Sequence, residues 1–252
     1  MILVLGGTTE GKQVNSVLAG VGYPFWYSTK TEIAVELPPN AHYRFGAFTP
    51  ETLTDFCRQE SIRLVIDAGH PFAQLLHETI AQVAFTAGIP VIRPEREYPV
   101  RQTHPLIQYV PDYPALIKKL EEAGYAPVLA LTGVQTIARL KPYWQQNKIV
   151  FRILPRATSV EIALAAGFRE EDLLLSFPAS TIEEEFALIR SVGAKAVITK
   201  ESGESGFLSV KTAACVAAGV PLFIISRPAL PASFIPVDGT AVLLREIKKR
   251  MP

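Results

Sequence analysis

Three features of the chain predict an α/β protein made of two parallel-sheet halves related by internal duplication. Short apolar runs rich in β-branched residues alternate with segments of helical period, the pattern of parallel strands joined by crossover helices. The alternation restarts after a proline-rich passage at 98–114. The halves also resemble each other: LVIDAGHPFAQLLHETIAQVAFTAGIPVIRP and AVITKESGESGFLSVKTAACVAAGVPLFIISRP each run strand, polar loop, helix, Ala-Gly-(Ile/Val)-Pro, strand, Arg-Pro. In the same way ILVLGGT opens the first half and VLALTGV the second.

In chain order, strands are expected over 2–5, 23–27, 64–66 and 89–92. Beyond a helix ending near Gly124, further strands are expected over 128–131, 149–153, 173–177, 196–198 and 221–225. This puts one domain at 1–100 and a second at 101–252. Ligands of such sheets sit outside the carboxyl ends of the strands, so function is sought in the loops that follow them.

Composition narrows the partners. With 252 residues, 48% of them apolar, the chain can bury a sizeable core. Its 25 basic and 24 acidic side chains nearly cancel, so no global field draws it to nucleic acid or an anionic membrane, and an anionic ligand must be met locally. No aromatic-basic interleaving suggests nucleic-acid readout, and no apolar run is long enough to span a bilayer. Cys57 and Cys215 form no CxxC pair and have no metal-ligand spacing with the four histidines, so no metal site and a reducing cytoplasm are expected. MILVLGG carries no basic leader and is read as a first strand.

GGTTEG, containing Gly6, Gly7, Thr8, Glu10 and Gly11, follows the first strand and opens a helix. Small residues there let the backbone approach a phosphate, whose charge the free N–H groups and the helix dipole hold. A turn that merely starts a helix is the competing reading. GGTTEGK also fits GxxxxGK, with Asp67 after an apolar strand as a magnesium ligand, which would make a P-loop-like nucleotide hydrolase. Gln13 argues against it, because that position needs a metal-binding hydroxyl.

For a dinucleotide, the end of the second strand reads the ribose. Ser28, Thr29 and Lys30 offer hydroxyls and a cation there, which favours a 2′-phosphate and hence NADPH; Glu32, about twenty residues beyond the glycines, is the opposing signal. His70 follows another strand end, where a histidine can donate a proton or bind a carboxylate. A packed loop histidine is the bland reading, as a cap of the next helix is for Asp67. Arg93, Arg96, Arg101, Lys141, Arg152, Arg156, Lys200 and Arg227 all fall near strand ends, which suits a substrate with several carboxylates, although dispersed charges are commonly just solvated.

Taken together, ILVLGGTTEGK, VIDAGHPFA before AGIPVIRPER, TGVQ at 132–135, RILPR at 152–156 and TKESGESG at 199–206 resemble the precorrin-6A reductase family of cobalamin biosynthesis, over nearly the whole chain. Gly69 stands where the family pattern has threonine, and Phe207 where it has a further glycine. The resemblance implies two Rossmann-like domains and NADPH-dependent reduction of a ring double bond of precorrin-6A, or of its cobalt complex, to the 6B form. It implies further that Thr132, Gly133, Lys200, Ser202 and Gly203 join the GGTTEG turn and residues 28–30 around the cofactor. Arg93, Arg152, Lys200 and Arg227 are then expected to meet the tetrapyrrole's carboxylates, and His70 to be the proton donor, with solvent as its rival. A non-catalytic nucleotide sensor on the same folds is the remaining alternative.

Overall fold

A computed structural model describes residues 1–95 and 100–251. The first stretch runs β1 (Ile2–Leu5), α1 (Thr9–Val21), β2 (Phe25–Thr29), β3 (Ala41–Phe45), α2 (Pro50–Gln59), β4 (Leu64–Asp67), α3 (Gln74–Ala87) and β5 (Val91–Pro94). The second begins β6 (Ile107–Val110), α4 (Tyr113–Glu122), β7 (Val128–Ala130), α5 (Lys141–Trp144), β8 (Ile149–Ile153), α6 (Ala157–Ala165) and β9 (Leu173–Leu175). It continues α7 (Ile182–Val192), β10 (Ala196–Lys200), α8 (Leu208–Ala218), β11 (Leu222–Ile225), β12 (Phe234–Val237) and α9 (Gly239–Arg250).

These strands form two six-stranded sheets, ordered β12-β5-β4-β1-β2-β3 and β6-β11-β10-β7-β8-β9. The strand pairs are parallel in both sheets. Each order is that of a dinucleotide-binding fold, with switch points beside β1 and β7. The sixth place is filled unexpectedly: β12 completes the first sheet and β6 the second.

This exchange corrects the expected domain limits. One unit comprises Met1–Glu97 with Pro228–Pro252, and the other Tyr98–Arg227. The C-terminal segment belongs to the first unit because Phe234 pairs with Val91 and Val237 with Pro94. Leu243, Ile247 and Met251 then pack with Val14 and Leu18 of α1, and the Tyr23 hydroxyl donates to the Met251 carbonyl at 2.7 Å. Each such fully buried aliphatic side chain contributes about 1.5–3 kcal/mol relative to exposure.

The strand period of two divides the core of the first unit. Ile2 and Val4 face a cluster holding the apolar stripes of α1 and α9. Leu3 and Leu5 face the opposite cluster, with Leu53 and Cys57 of α2 and Ile80 and Val83 of α3. In the second unit Leu129, Val197, Leu222 and Ile224 pack with Ile189 of α7 and Ala214 and Cys215 of α8. Helix starts follow local chemistry: Thr8 caps α1, Asp112 caps α4, and Thr49 and Thr181 form capping boxes with Thr52 and Glu184. Among the described residues no helix is long and apolar enough to cross a membrane, and no group of three or more His, Cys, Asp or Glu is placed to hold a metal ion.

Candidate functional site

In the first unit β1 leads directly into the glycine turn, where the Gly6 N–H donates to the Ser28 carbonyl at 2.9 Å. Gly7 is exposed, has φ +92°, and a Cβ added to it would meet only Thr29 Cγ2 at 3.7 Å. Its Cα face is therefore unshielded, while its N–H is held by Tyr27. Gly6 and Gly11 are different: a Cβ at Gly6 would overlap the Tyr27 ring, and one at Gly11 would lie 2.6 Å from Tyr27 Oη. These two glycines make room for the buried Tyr27, whose hydroxyl accepts from the Gly7 N–H at 2.9 Å. Their small size thus has a packing reason of its own, independent of any phosphate. Burial raises the Tyr27 pKa, so the phenol keeps its proton.

Thr8 Oγ1 accepts from the Gly11 N–H at 3.2 Å and donates to the Ala68 carbonyl at 2.7 Å, fixing the turn to the end of β4. Glu10 is buried in the first turn of α1. The first N–H groups of α1 have no partner within the helix. Beside the unshielded Gly7 Cα they fit a pyrophosphate.

At the ends of β2 and β3 the hydroxyls are engaged. Thr29 Oγ1 donates to the Thr31 carbonyl at 2.8 Å and lies 2.8 Å from Tyr43 Oη. Ser28 Oγ accepts from Arg44 Nη1 at 2.6 Å. Lys30 and Glu32 are both exposed. Arg44 was not singled out in the sequence, since the half-exposed AHYRF gives little strand signal.

Asp67, at the end of β4, is 0% exposed and does not cap α3, whose N-cap is Ala73 with no side-chain bond. Its carboxylate accepts from the Gly69 N–H at 3.0 Å and from Arg93 Nη1 at 2.9 Å, with His77 Nε2 at 3.4 Å. Arg93 also donates through Nε to Glu95 at 2.7 Å and is 1% exposed. It bolts β5 to β4, so its expected role on substrate carboxylates is corrected. The enclosed Asp67 is equally unsuited to holding magnesium, which weighs against the nucleotide hydrolase. Burial lowers the His77 pKa and favours the neutral ring. His70 is half-buried, and its Nδ1 accepts from the Phe72 N–H at 3.2 Å. In the neutral ring this leaves the proton on Nε2.

The second unit repeats the plan. Gly133 follows β7 at φ +81° with open space at its Cβ position, the counterpart of Gly7. Thr132 is buried and bonded to Thr136 at 2.6 Å. Arg152 meets both oxygens of buried Glu185, at 3.0 and 2.9 Å, and its assignment to substrate is corrected on the same ground as that of Arg93. Arg227 is buried, with its backbone N–H donating to Glu201 Oε2 at 3.0 Å and its Nε to the Glu201 carbonyl at 2.8 Å, so it braces the loop after β10.

That loop is built from within. Glu201, Ser202 and Gly203 are buried, Gly203 adopts φ +72°, and a Cβ at Gly206 would overlap the Ser202 hydroxyl. Lys211 Nζ donates to the Gly206 carbonyl at 2.6 Å. Lys200 is half-buried, and burial, with Arg139 nearby, lowers its pKa to about 8. Lys141 and Arg156 are exposed, and Arg96 lies outside the described residues. A cavity of 480 Å³ lined by Trp144, Lys148, Phe168, Arg169 and Asp172 opens where β8 and β9 begin, at the end of the sheet away from these loops.

The family model described as "Precorrin-6x reductase CbiJ/CobK" matches residues 1–247. The chain belongs to the precorrin-6x reductase family.

A precorrin-6A reductase of Mycobacterium tuberculosis is 31% identical, covering 94% of this chain and 93% of its own length. A cobalt-precorrin-6A reductase of Synechocystis is 30% identical, covering 90% of this chain and 88% of its own. A solved structure titled "CobK precorrin-6A reductase" has the same fold, with a TM-score of 0.79 at 24% identity over 99% of this chain and 97% of that one. As a member of the precorrin-6x reductase family the chain is an oxidoreductase of cobalamin biosynthesis, and a nicotinamide cofactor follows from that membership. The two departures from the family pattern now have surroundings. A Cβ at Gly69 would lie 3.0 Å from Asp67 Oδ1 and 3.2 Å from Leu76 Cδ2. Phe207 holds a left-handed backbone at φ +54°, a conformation that glycine adopts freely.

Proposed function

We propose that this reductase converts precorrin-6A, or its cobalt complex, to the 6B form, with NADPH as the reductant. The observation that carries the cofactor reading is the exposed, left-handed Gly7 between β1 and the N-terminus of α1, at the switch point of the first sheet. When bound, NADPH supplies a hydride for a ring double bond. The residues around it bind and orient. The first N–H groups of α1, beside the unshielded Gly7 Cα, hold the pyrophosphate, while Ser28 and Lys30 lie toward the adenosine ribose. His70 is proposed to donate from Nε2 to the reduced ring. In the second unit, Lys200, with the Ser202–Gly203 backbone beside it, is proposed to meet an anionic group of a ligand, and Thr132–Gly133 supplies an open turn. A cytoplasmic setting suits two buried thiols that form no disulfide.

The test is steady-state kinetics with purified tetrapyrrole, following the loss of NADPH absorbance. Turnover that needs the macrocycle and ignores magnesium and ATP is expected. Nucleotide binding with no turnover of either tetrapyrrole would instead favour the sensor, and magnesium-dependent ATP hydrolysis would favour the hydrolase.

A further inference from the structure

We infer that Arg44, with Ser28 beside it, is the residue that selects a 2′-phosphorylated nucleotide. The inference rests on the nicotinamide reading above and sharpens it, because it moves discrimination from the end of β2 to the neighbouring strand β3.

Position comes first. Arg44 lies opposite Ser28 in the parallel β2–β3 register, and Ser28 accepts the Gly6 N–H at the start of the glycine turn. The guanidinium thus stands at the strand ends where a dinucleotide fold reads the adenosine ribose. Thr29, which the sequence favoured for this task, has its hydroxyl engaged by Thr31 and Tyr43.

The group is also held in place. Nη1 donates to Ser28 Oγ at 2.6 Å, Nη2 donates to the Phe45 carbonyl at 3.3 Å, and the cation lies 3.8 Å over the Phe48 ring. Gly46, at φ +113°, keeps the space beside it small-sided, since a Cβ there would lie 3.4 Å from Nη2. A stacked guanidinium loses little further freedom on meeting a phosphate, and its planar fork matches two phosphate oxygens.

Charge decides the rest. Arg93, Arg101 and Arg152 each face a carboxylate at 2.9 Å or closer. Among the described residues no carboxylate lies within ion-pair distance of Arg44, although the side chain is half-buried. A partly desolvated cation without a counter-charge favours an anion brought by a ligand. A 2′-phosphate beside the Ser28 hydroxyl supplies that charge, and a bare 2′-hydroxyl does not.

Calorimetric titration of the purified full-length protein with 2′-AMP, 5′-AMP, NADPH and NADH tests this, without recourse to turnover. The parent is expected to bind 2′-AMP more tightly than 5′-AMP. Arg44→Leu should weaken NADPH and 2′-AMP roughly tenfold or more, the scale of a lost charge-assisted contact, and leave NADH unchanged. Arg44→Lys should keep part of the preference, and Lys30→Ala should change it less than Arg44→Leu. Equal weakening of NADPH and NADH by Arg44→Leu would mark Arg44 as a packing residue and overturn the inference while sparing the nicotinamide reading. If that variant fails to fold, a parent ratio of 2′-AMP to 5′-AMP affinity near one overturns the inference by itself. A parent that binds neither dinucleotide overturns both.

Discussion

Arg101 grips Glu201 with two bonds, Nε to Oε1 at 2.9 Å and Nη2 to Oε2 at 3.1 Å, and the Arg227 backbone N–H reaches the same carboxylate at 3.0 Å. Glu201 is 0% exposed. Arg227 is the last residue of the second unit, and Arg101 lies just inside its start. One buried carboxylate of the TKESGESG loop therefore ties down both ends of the chain segment that makes this unit.

Glu201→Ala removes that tie and leaves a buried backbone N–H unpaired. The second unit should lose about 3 kcal/mol of stability, the scale of breaking a buried charged network from one side. Arg101→Ala should cost less, because its side chain is half exposed and water takes over part of its hydrogen bonding. Thermal unfolding of the two variants beside the parent checks the order. Equal and negligible shifts would show that Glu201 is not the anchor.

Lys200 provides a pH dependence. Its pKa is lowered to about 8, first by burial and then by Arg139. The cation is present below that value and lost as pH rises through it. If Lys200 holds an anionic group of the ligand, kcat/KM should fall above about pH 8, and Lys200→Arg should carry the plateau to higher pH. Lys200→Ala should cost about 1–3 kcal/mol in kcat/KM with little change in melting temperature. A pH profile that is the same for parent and Lys200→Arg would remove Lys200 from the site.

Lys211 behaves differently because it acts through folding. Burial is the main cause that lowers its pKa from 10.5 to about 8 in the folded protein. Between these values the unfolded chain binds the proton and the folded one does not, so this group makes stability rise with pH from about 8 to 10.5. Below pH 8 the contribution is flat. The parent should gain stability relative to Lys211→Met across that window, as read from urea midpoints of both proteins at each pH. Parallel curves would show that Lys211 keeps an ordinary pKa.

Gly7 and Gly11 of the first turn should separate by mechanism. Gly11→Ala places a Cβ 2.6 Å from Tyr27 Oη and 3.1 Å from Gly6 Cα, so it should destabilise by about 1–3 kcal/mol, as overpacking does. Adding Tyr27→Phe should restore part of that loss by removing the hydroxyl. Gly7→Ala meets no such crowding, and beyond about 1 kcal/mol of left-handed strain its effect should fall on nucleotide affinity. Melting curves and NADPH titrations of the four proteins check this. Normal binding by Gly7→Ala would move the phosphate site elsewhere.

The central strands were legible because burial on both faces turns them into continuous apolar runs such as Ile2–Leu5 and Leu64–Ile66. Three outer strands were not. β3 is half exposed, β12 carries Pro236, and β6 lies within the proline-rich passage. Edge strands tolerate proline and polar residues because one side of their ladder has no partner, so the apolar signal that reveals a central strand is weak.

At the site, the sequence by itself determined the glycine turn, the strand-end loops and the family likeness, all of which are local patterns. The partners of the charges were decided only by tertiary structure. Arg93 meets Asp67 across 26 positions, Arg152 meets Glu185 across 33, and Arg101 meets Glu201 across 100. That no described carboxylate comes within ion-pair distance of Arg44 is likewise an outcome of the fold. The same holds for the exchange of β6 and β12. Duplicated halves present nearly equivalent open edges at β5 and β11, each a row of unpaired N–H and C=O groups. No local propensity distinguishes two such edges, and the choice between them is made by packing remote in sequence, such as α9 against α1.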